Sequence, residues 1–129
     1  MLATVNSCSV NGIEGLPVDV EVDISNGLPA FFIVGLPEAS VKESRDRVRT
    51  AVKNSGYGFP MERVVVNLAP ADLKKEGSGF DLPIAAAVLA ASNKIPPDAV
   101  RDYLIVGALS LDGTLKPVKA ALSYAILAR

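Results

Sequence analysis

Lys74, Lys75, Gly77, Ser78 and Gly79 form the stretch of this chain whose residue types and spacing most suggest chemistry. They lie between Asn67-Leu-Ala-Pro70, which reads as a strand ending at a proline, and Asp81-Leu-Pro83-Ile-Ala85, which opens an almost wholly apolar helix. A glycine-rich loop ahead of a helix aims backbone N–H groups, and the positive end of the helix dipole, at whatever the loop holds. Two chemistries suit that layout. In one, Ser78 is a nucleophile whose proton passes to a lysine within hydrogen-bond reach, with Lys116 and Lys119 as the candidates. In the other, the lysines and the Gly77-Ser78-Gly79 N–H groups cradle an anion. That anion is not a nucleotide undergoing hydrolysis. The phosphate-loop motif places its lysine after the glycines, and this sequence contains no such string. Asp81, at the helix start, is expected to satisfy N–H groups there and to repel an anion.

A second set of charged residues lies upstream. Lys42, Arg45, Arg49 and Lys53 recur at i, i+3, i+7 and i+11, so on a helix they make one basic ridge. Such a ridge can follow phosphates without regard to base sequence, in a strongly salt-dependent manner. The plainer account is a solvated helix face supported by Lys42–Asp46 and Glu43–Arg47 pairs at i, i+4. For intrinsic binding by a single chain the plainer account is favoured; copies gathered in a ring would gain avidity from a weak ridge. Asp19, Glu21 and Asp23 share one strand face, but neighbours there are about 7 Å apart, too far for adjacent carboxylates to share an ion unaided. They read as a wet face or a charge-guarded edge. No metal site and no intact catalytic set is expected.

Composition narrows the classes. The chain has 129 residues, suited to a single domain over 1–129, and half of them are hydrophobic, enough for a packed core. The formal net charge of −1 carries no global basic field, so any nucleic-acid contact must be local. Histidine is absent, which removes the commonest general base and metal ligand. Cys8 is the only cysteine, which excludes an internal disulfide and fits a reducing cytoplasm. The first residues lack the pattern of a signal peptide, and the apolar run 82–91 is too short to span a bilayer. A cytoplasmic protein without membrane contact is expected.

The elements that must position these residues follow from periodicity. Residues 2–10 read as a strand ending at Asn11-Gly12. Val18, Val20, Val22 and Ile24 then alternate with Asp19, Glu21, Asp23 and Ser25, the mark of a strand with one buried face. Asn26-Gly27 turns the chain into Phe31-Phe-Ile-Val34, apolar on both faces and therefore expected in the sheet interior. Ser40 and Glu43 form a capping-box pair at the head of a helix with Val41, Val48, Ala51 and Val52 on its inner stripe, and Gly56 marks its end. Residues 63–68 make a further strand. The apolar helix from Leu82 to about Ser92 follows, barred from extension by Pro96-Pro97. Residues 103–111 and 114–115 suggest a hairpin about Asp112-Gly113, and Pro117 opens a last helix with a stripe from Val118 to Ile126. The order β-β-β-α-β-α-β-β-α predicts an α+β fold, a two-layer sandwich with helices on one face of a mixed sheet. Ala120, Tyr124 and Leu127 fall off the last stripe, and the helix reaches Arg129 uncapped, so the chain reads as the front piece of a longer protein.

Several stretches together carry a family likeness: Gly35-Leu-Pro-Glu38, 41–49 (VKESRDRVR), Asn54-Ser-Gly-Tyr57, 67–73 (NLAPADL), Lys75-Glu-Gly77, Asp81-Leu-Pro-Ile-Ala85 and 107–113 (GALSLDG). The chain resembles the N-terminal domain of the Mg-chelatase-related AAA+ proteins, the YifB/ComM family. The resemblance implies a Lon-protease-like fold, shared more distantly with GHMP kinases and the C-terminal domain of the RadA repair protein. It also implies a downstream ATPase module using ATP and Mg, a homo-oligomeric ring, and DNA as substrate in competence and recombination. Lon-type enzymes carry their nucleophile in K-D-G-P-S-A-G. Aligned on Lys75-Glu-Gly77, this chain has Ser78 where that motif has proline and Gly79 where it has serine. The position implied for the lysine partner is Leu122. The resemblance therefore favours a non-catalytic accessory domain, with a Lon-type Ser–Lys peptidase acting through Ser78 as the alternative.

Overall fold

The computed structural model describes residues 2–11, 14–70 and 79–116. Strand β1 spans Leu2–Asn11, β2 Glu14–Ser25, β3 Ala30–Val34 and β4 Arg63–Ala69; helix α1 spans Glu38–Asn54 and α2 Asp81–Ala91. A short 3-10 turn, Pro97–Val100, leads to strands β5 (Ala108–Leu109) and β6 (Leu115–Lys116). The expected final helix over 117–129 lies outside the described residues.

The first four strands form one mixed sheet in the order β1-β2-β4-β3, antiparallel except for the parallel pair β3–β4. The alternation in β2 behaves as its sequence demands. Val18, Val20, Val22 and Ile24 are buried, and they meet Val5, Ala3, Val64, Val66 and Leu68 in one core with the inner residues of both helices. Both helices cover the same face of the sheet. Helix α1 turns Val48, Ala51 and Val52 inward, whereas α2 is so uniformly apolar that nearly all of it is buried. The result is the expected α+β arrangement of helices on one face of a mixed sheet.

Three local expectations are corrected. Strand β3 does not lie in the sheet interior and does not pair with β2. Among the described residues it is an edge strand, with Phe31 and Ile33 buried and Phe32 and Val34 exposed. Strand β4 inserts between them because β3–α1–β4 is a parallel βαβ unit whose helix packs back on the sheet. The Ser40–Glu43 capping box does not form. Helix α1 starts earlier, from Pro37, with no side-chain cap; the Ser40 N–H donates to the Pro37 carbonyl, and Glu38 places its charge at the dipole's positive end. The strand foreseen across 103–111 shrinks to Ala108–Leu109, preceded by a single parallel bridge between Leu104 and Asn6. Gly56 does end α1, at φ +93°, and Gly113 (φ +91°) turns the β5–β6 hairpin, both conformations that favour glycine.

Candidate nucleic-acid interface

Helix α1 presents its basic residues to two different environments. Lys42, Arg45, Arg49 and Lys53 lie along the outer side, as their spacing predicts, and Lys42, Arg49 and Lys53 are exposed. Arg45 is half-buried and donates from Nη1 to the Phe31 carbonyl at 3.4 Å. That contact occupies one backbone acceptor on the outer edge of β3. The Arg49 guanidinium lies over two rings, 5.6 Å from the Phe31 centroid and 5.7 Å from that of Phe59. The rings themselves are tilted against each other at 4.9 Å. Arg49 and Lys53 form one wall of a groove of about 510 Å³ whose other sides are Pro29, Ala30, Phe59, Pro60 and Met61. No described carboxylate pairs with Lys42, Arg49 or Lys53. Helical spacing locates the ridge but gives no sign of the aromatic pair beneath Arg49, whose rings come from β3 and the loop before β4.

Arg47 turns the other way. It sits about 140° round the helix from Lys42, at five residues' separation. Its Nε donates to Asp81 Oδ2 at 2.6 Å and its Nη2 to Oδ1 at 3.2 Å. Ser44 Oγ donates to Oδ1 at 3.1 Å, and the Leu109 N–H to Oδ2 at 3.3 Å. Asp81 is 1% exposed and thus fully paired in its burial. The hydrogen bond it donates to Asp81 holds the Arg47 guanidinium above its ordinary pKa, against the opposing effect of burial. The foreseen Glu43–Arg47 pair is present as a weaker companion, at 3.7 Å. Asp81 therefore does not cap its own helix as expected; it ties α1, α2 and β5 together.

At the head of α2 the Leu82 N–H donates to the Gly107 carbonyl, Pro83 has no N–H, and the Ile84 N–H is used within the helix. Gly79 accepts from the Gly107 N–H. Lys74, Lys75, Gly77, Ser78 and Lys119 lie outside the described residues, and Lys116 falls on β6. Asp19, Glu21 and Asp23 do face away from the core, and Glu21 accepts a hydrogen bond from Asn67 at 2.9 Å. Among the described residues no group of three or more acidic or cysteine side chains is placed to hold a metal. No described helix is long and apolar enough to cross a membrane.

The architecture defines the class first: an α+β domain whose mixed sheet carries both described helices on one face. Residues 20–129 match the family of subunit ChlI of Mg-chelatase, and the chain belongs to that family. It is 52% identical to the uncharacterized protein YifB of Salmonella typhimurium over 124 residues, 96% of this chain and 24% of that protein. It is 50% identical to Escherichia coli YifB over the same shares. It is also 47% identical to the competence protein ComM of Haemophilus influenzae over 127 residues, 98% of this chain and 25% of ComM. The chain thus spans about a quarter of the length of the curated relatives it matches.

Proposed function

We propose that this chain is a non-catalytic accessory domain of a longer Mg-chelatase-like AAA+ ATPase of the ComM type, cytoplasmic and acting on DNA in competence and recombination. In this reading it occupies residues 1–129 in a Lon-protease-like fold, helps assemble a homo-oligomeric ring, and makes weak, sequence-independent contact with DNA. ATP and Mg belong to the module downstream, and none is assigned to these residues. Membership of the Mg-chelatase family supports the reading, as do the greater length of the relatives and the name of the competence protein among them. The observation that carries the DNA contact is the run of exposed cations on α1 with no described carboxylate opposite them. Lys42, Arg49 and Lys53 offer point charges to phosphate, and none of them is placed to read base edges. One ridge engaging about three phosphates contributes a slope near −2.7 to log K against log salt, so avidity in a ring is needed for useful affinity.

Gel shifts with single-stranded and branched DNA across a salt series test this reading. Changing Arg45 and Arg49 to Ala is expected to weaken binding and to flatten the salt slope. An unchanged slope, or no shift by the ring at low salt, would leave a purely structural cap. Exposure to a fluorophosphonate is expected to leave Ser78 unlabelled; covalent labelling there would overturn the non-catalytic assignment in favour of a Ser–Lys peptidase.

A further inference from the structure

The two flanks of the sheet are complementary. On the β3 flank lies the groove of Pro29, Phe59, Pro60 and Met61, with Arg49 and Lys53 on its wall and Met61 78% exposed. Its volume of about 510 Å³ and its largely apolar lining suit one large side chain, and its two cations ask for an anion beside it. On the β1 flank, three inter-strand spacings away (about 14 Å), the segment after the 3-10 turn offers both. Tyr103 is 65% exposed, and Asp102 beside it is exposed with no ion pair among the described residues. Arg101, the nearest cation in sequence, is engaged by Asp98.

The segment is also held rigidly. Asn6 Nδ2 donates to the Arg101 carbonyl at 3.0 Å, the Ile105 N–H to the Asn6 carbonyl at 2.8 Å, and the Tyr103 N–H to the Val100 carbonyl at 3.4 Å. An aromatic knob fixed in this way loses little freedom when it is buried in a partner.

We propose that the groove receives Tyr103 and Asp102 of a second copy of this chain, with Asp102 meeting Arg49 and Lys53; one carboxylate against two cations leaves positive charge at the junction for phosphate. Knob and groove lie on opposite flanks, so the contact is heterologous. Each copy keeps one free knob and one free groove, and repetition gives a ring or an open chain of copies. This rests on the assembly reading above and names the surfaces that perform it. The charged pair makes the contact salt-sensitive, and the tyrosine supplies the anchor.

Sedimentation velocity of the chain over a range of concentration and salt, without DNA, tests the junction. The wild type is expected to associate reversibly, most strongly at low salt. A groove variant (Arg49→Glu with Lys53→Glu) and a knob variant (Asp102→Asn with Tyr103→Ala) should each associate about tenfold more weakly or worse, the scale of a lost hot spot. Mixed together, they should form dimers and stop there, because only one intact knob and one intact groove can meet. Met61→Cys and Ala99→Cys, mixed as single variants, should crosslink as a pair through a short bis-maleimide, whereas a chain carrying both should give a ladder. All the altered side chains are exposed, and circular dichroism checks that each variant folds. Association unaltered in both variants would overturn this junction and leave the assembly reading standing. A wild type that stays monomeric throughout, with no crosslinks, would likewise overturn this junction, whereas the assembly reading falls only if the full-length protein forms no ring.

Discussion

Arg47 and Arg49 stand two residues apart on one helix and do opposite things. Arg47 reaches inward to a carboxylate that is fully buried, whereas Arg49 rests on the faces of Phe31 and Phe59 and keeps its charge at the surface. Two residues on a helix are about 200° apart, so residues so close in sequence answer to different neighbours. The difference lies in the partner. A bidentate carboxylate satisfies a guanidinium's charge and directs its hydrogen bonds, which fixes it as part of the frame. An aromatic face attracts the cation but leaves its N–H groups free to meet an anion from outside. On this helix, then, the cations matched by a carboxylate hold the fold together and the unmatched ones are available for binding.

The largest effect should come from the inner arginine's partner. Asp81→Ala removes the acceptor for Arg47, Ser44 and the Leu109 N–H together, and breaking a buried pair from one side costs about 3–5 kcal/mol. Urea unfolding measures the loss. Replacing both partners, Arg47→Met with Asp81→Leu, should cost clearly less than Asp81→Ala alone, because no polar group is then left stranded at the pair itself. If the double variant is as unstable as the single one, the node is not the ionic tie described here.

Much of this division was legible in the sequence, and the rest was hidden for definite reasons. The period-two run from Val18 to Ile24 located both the core and its wet face, because side-chain alternation is a local property. The basic ridge was legible for the same reason, since helical spacing alone puts Lys42, Arg45, Arg49 and Lys53 on one side. The Arg47–Asp81 pair spans 34 residues, and nothing local announces it. One signal was available: Asp81 is the lone charge at the head of a helix apolar on every side, and a carboxylate buried there must find a cation. Strand β3 was misplaced because Asn26-Gly27 suggested a local turn, whereas its pairing with β4 is decided by the packing of α1. Ser40 resembled a cap for want of any local sign that Pro37 already starts the helix.

A smaller effect belongs to another buried side chain, Cys8 on β1. Burial pushes the Cys8 thiol up to about 11 from its ordinary 9.0. Between those values the unfolded chain has lost the proton and the folded chain keeps it. Stability should therefore be fully present below about pH 9 and fall as pH rises toward 11, by up to roughly 2–3 kcal/mol. Cys8→Ala should flatten that alkaline slope whatever it does to stability at pH 7. A slope that survives the change would assign the alkaline loss to some other group.

The smallest stability effect should be that of Arg49→Ala, and its smallness is the informative part. An exposed cation–π contact contributes about 0.5–1 kcal/mol, so the variant should unfold within a few degrees of the wild type. Binding and self-association should suffer far more, because the same guanidinium supplies both the phosphate contact and the groove's charge in the readings above. Arg49→Lys sharpens the point: it keeps the charge but loses the flat stacking surface, so it should restore much of the salt-dependent DNA contact and less of the knob-in-groove junction. If Arg49→Ala instead destabilised the fold as strongly as Asp81→Ala, the contrast between the two arginines would fail. Arg49 would then be a part of the frame that happens to lie at the surface.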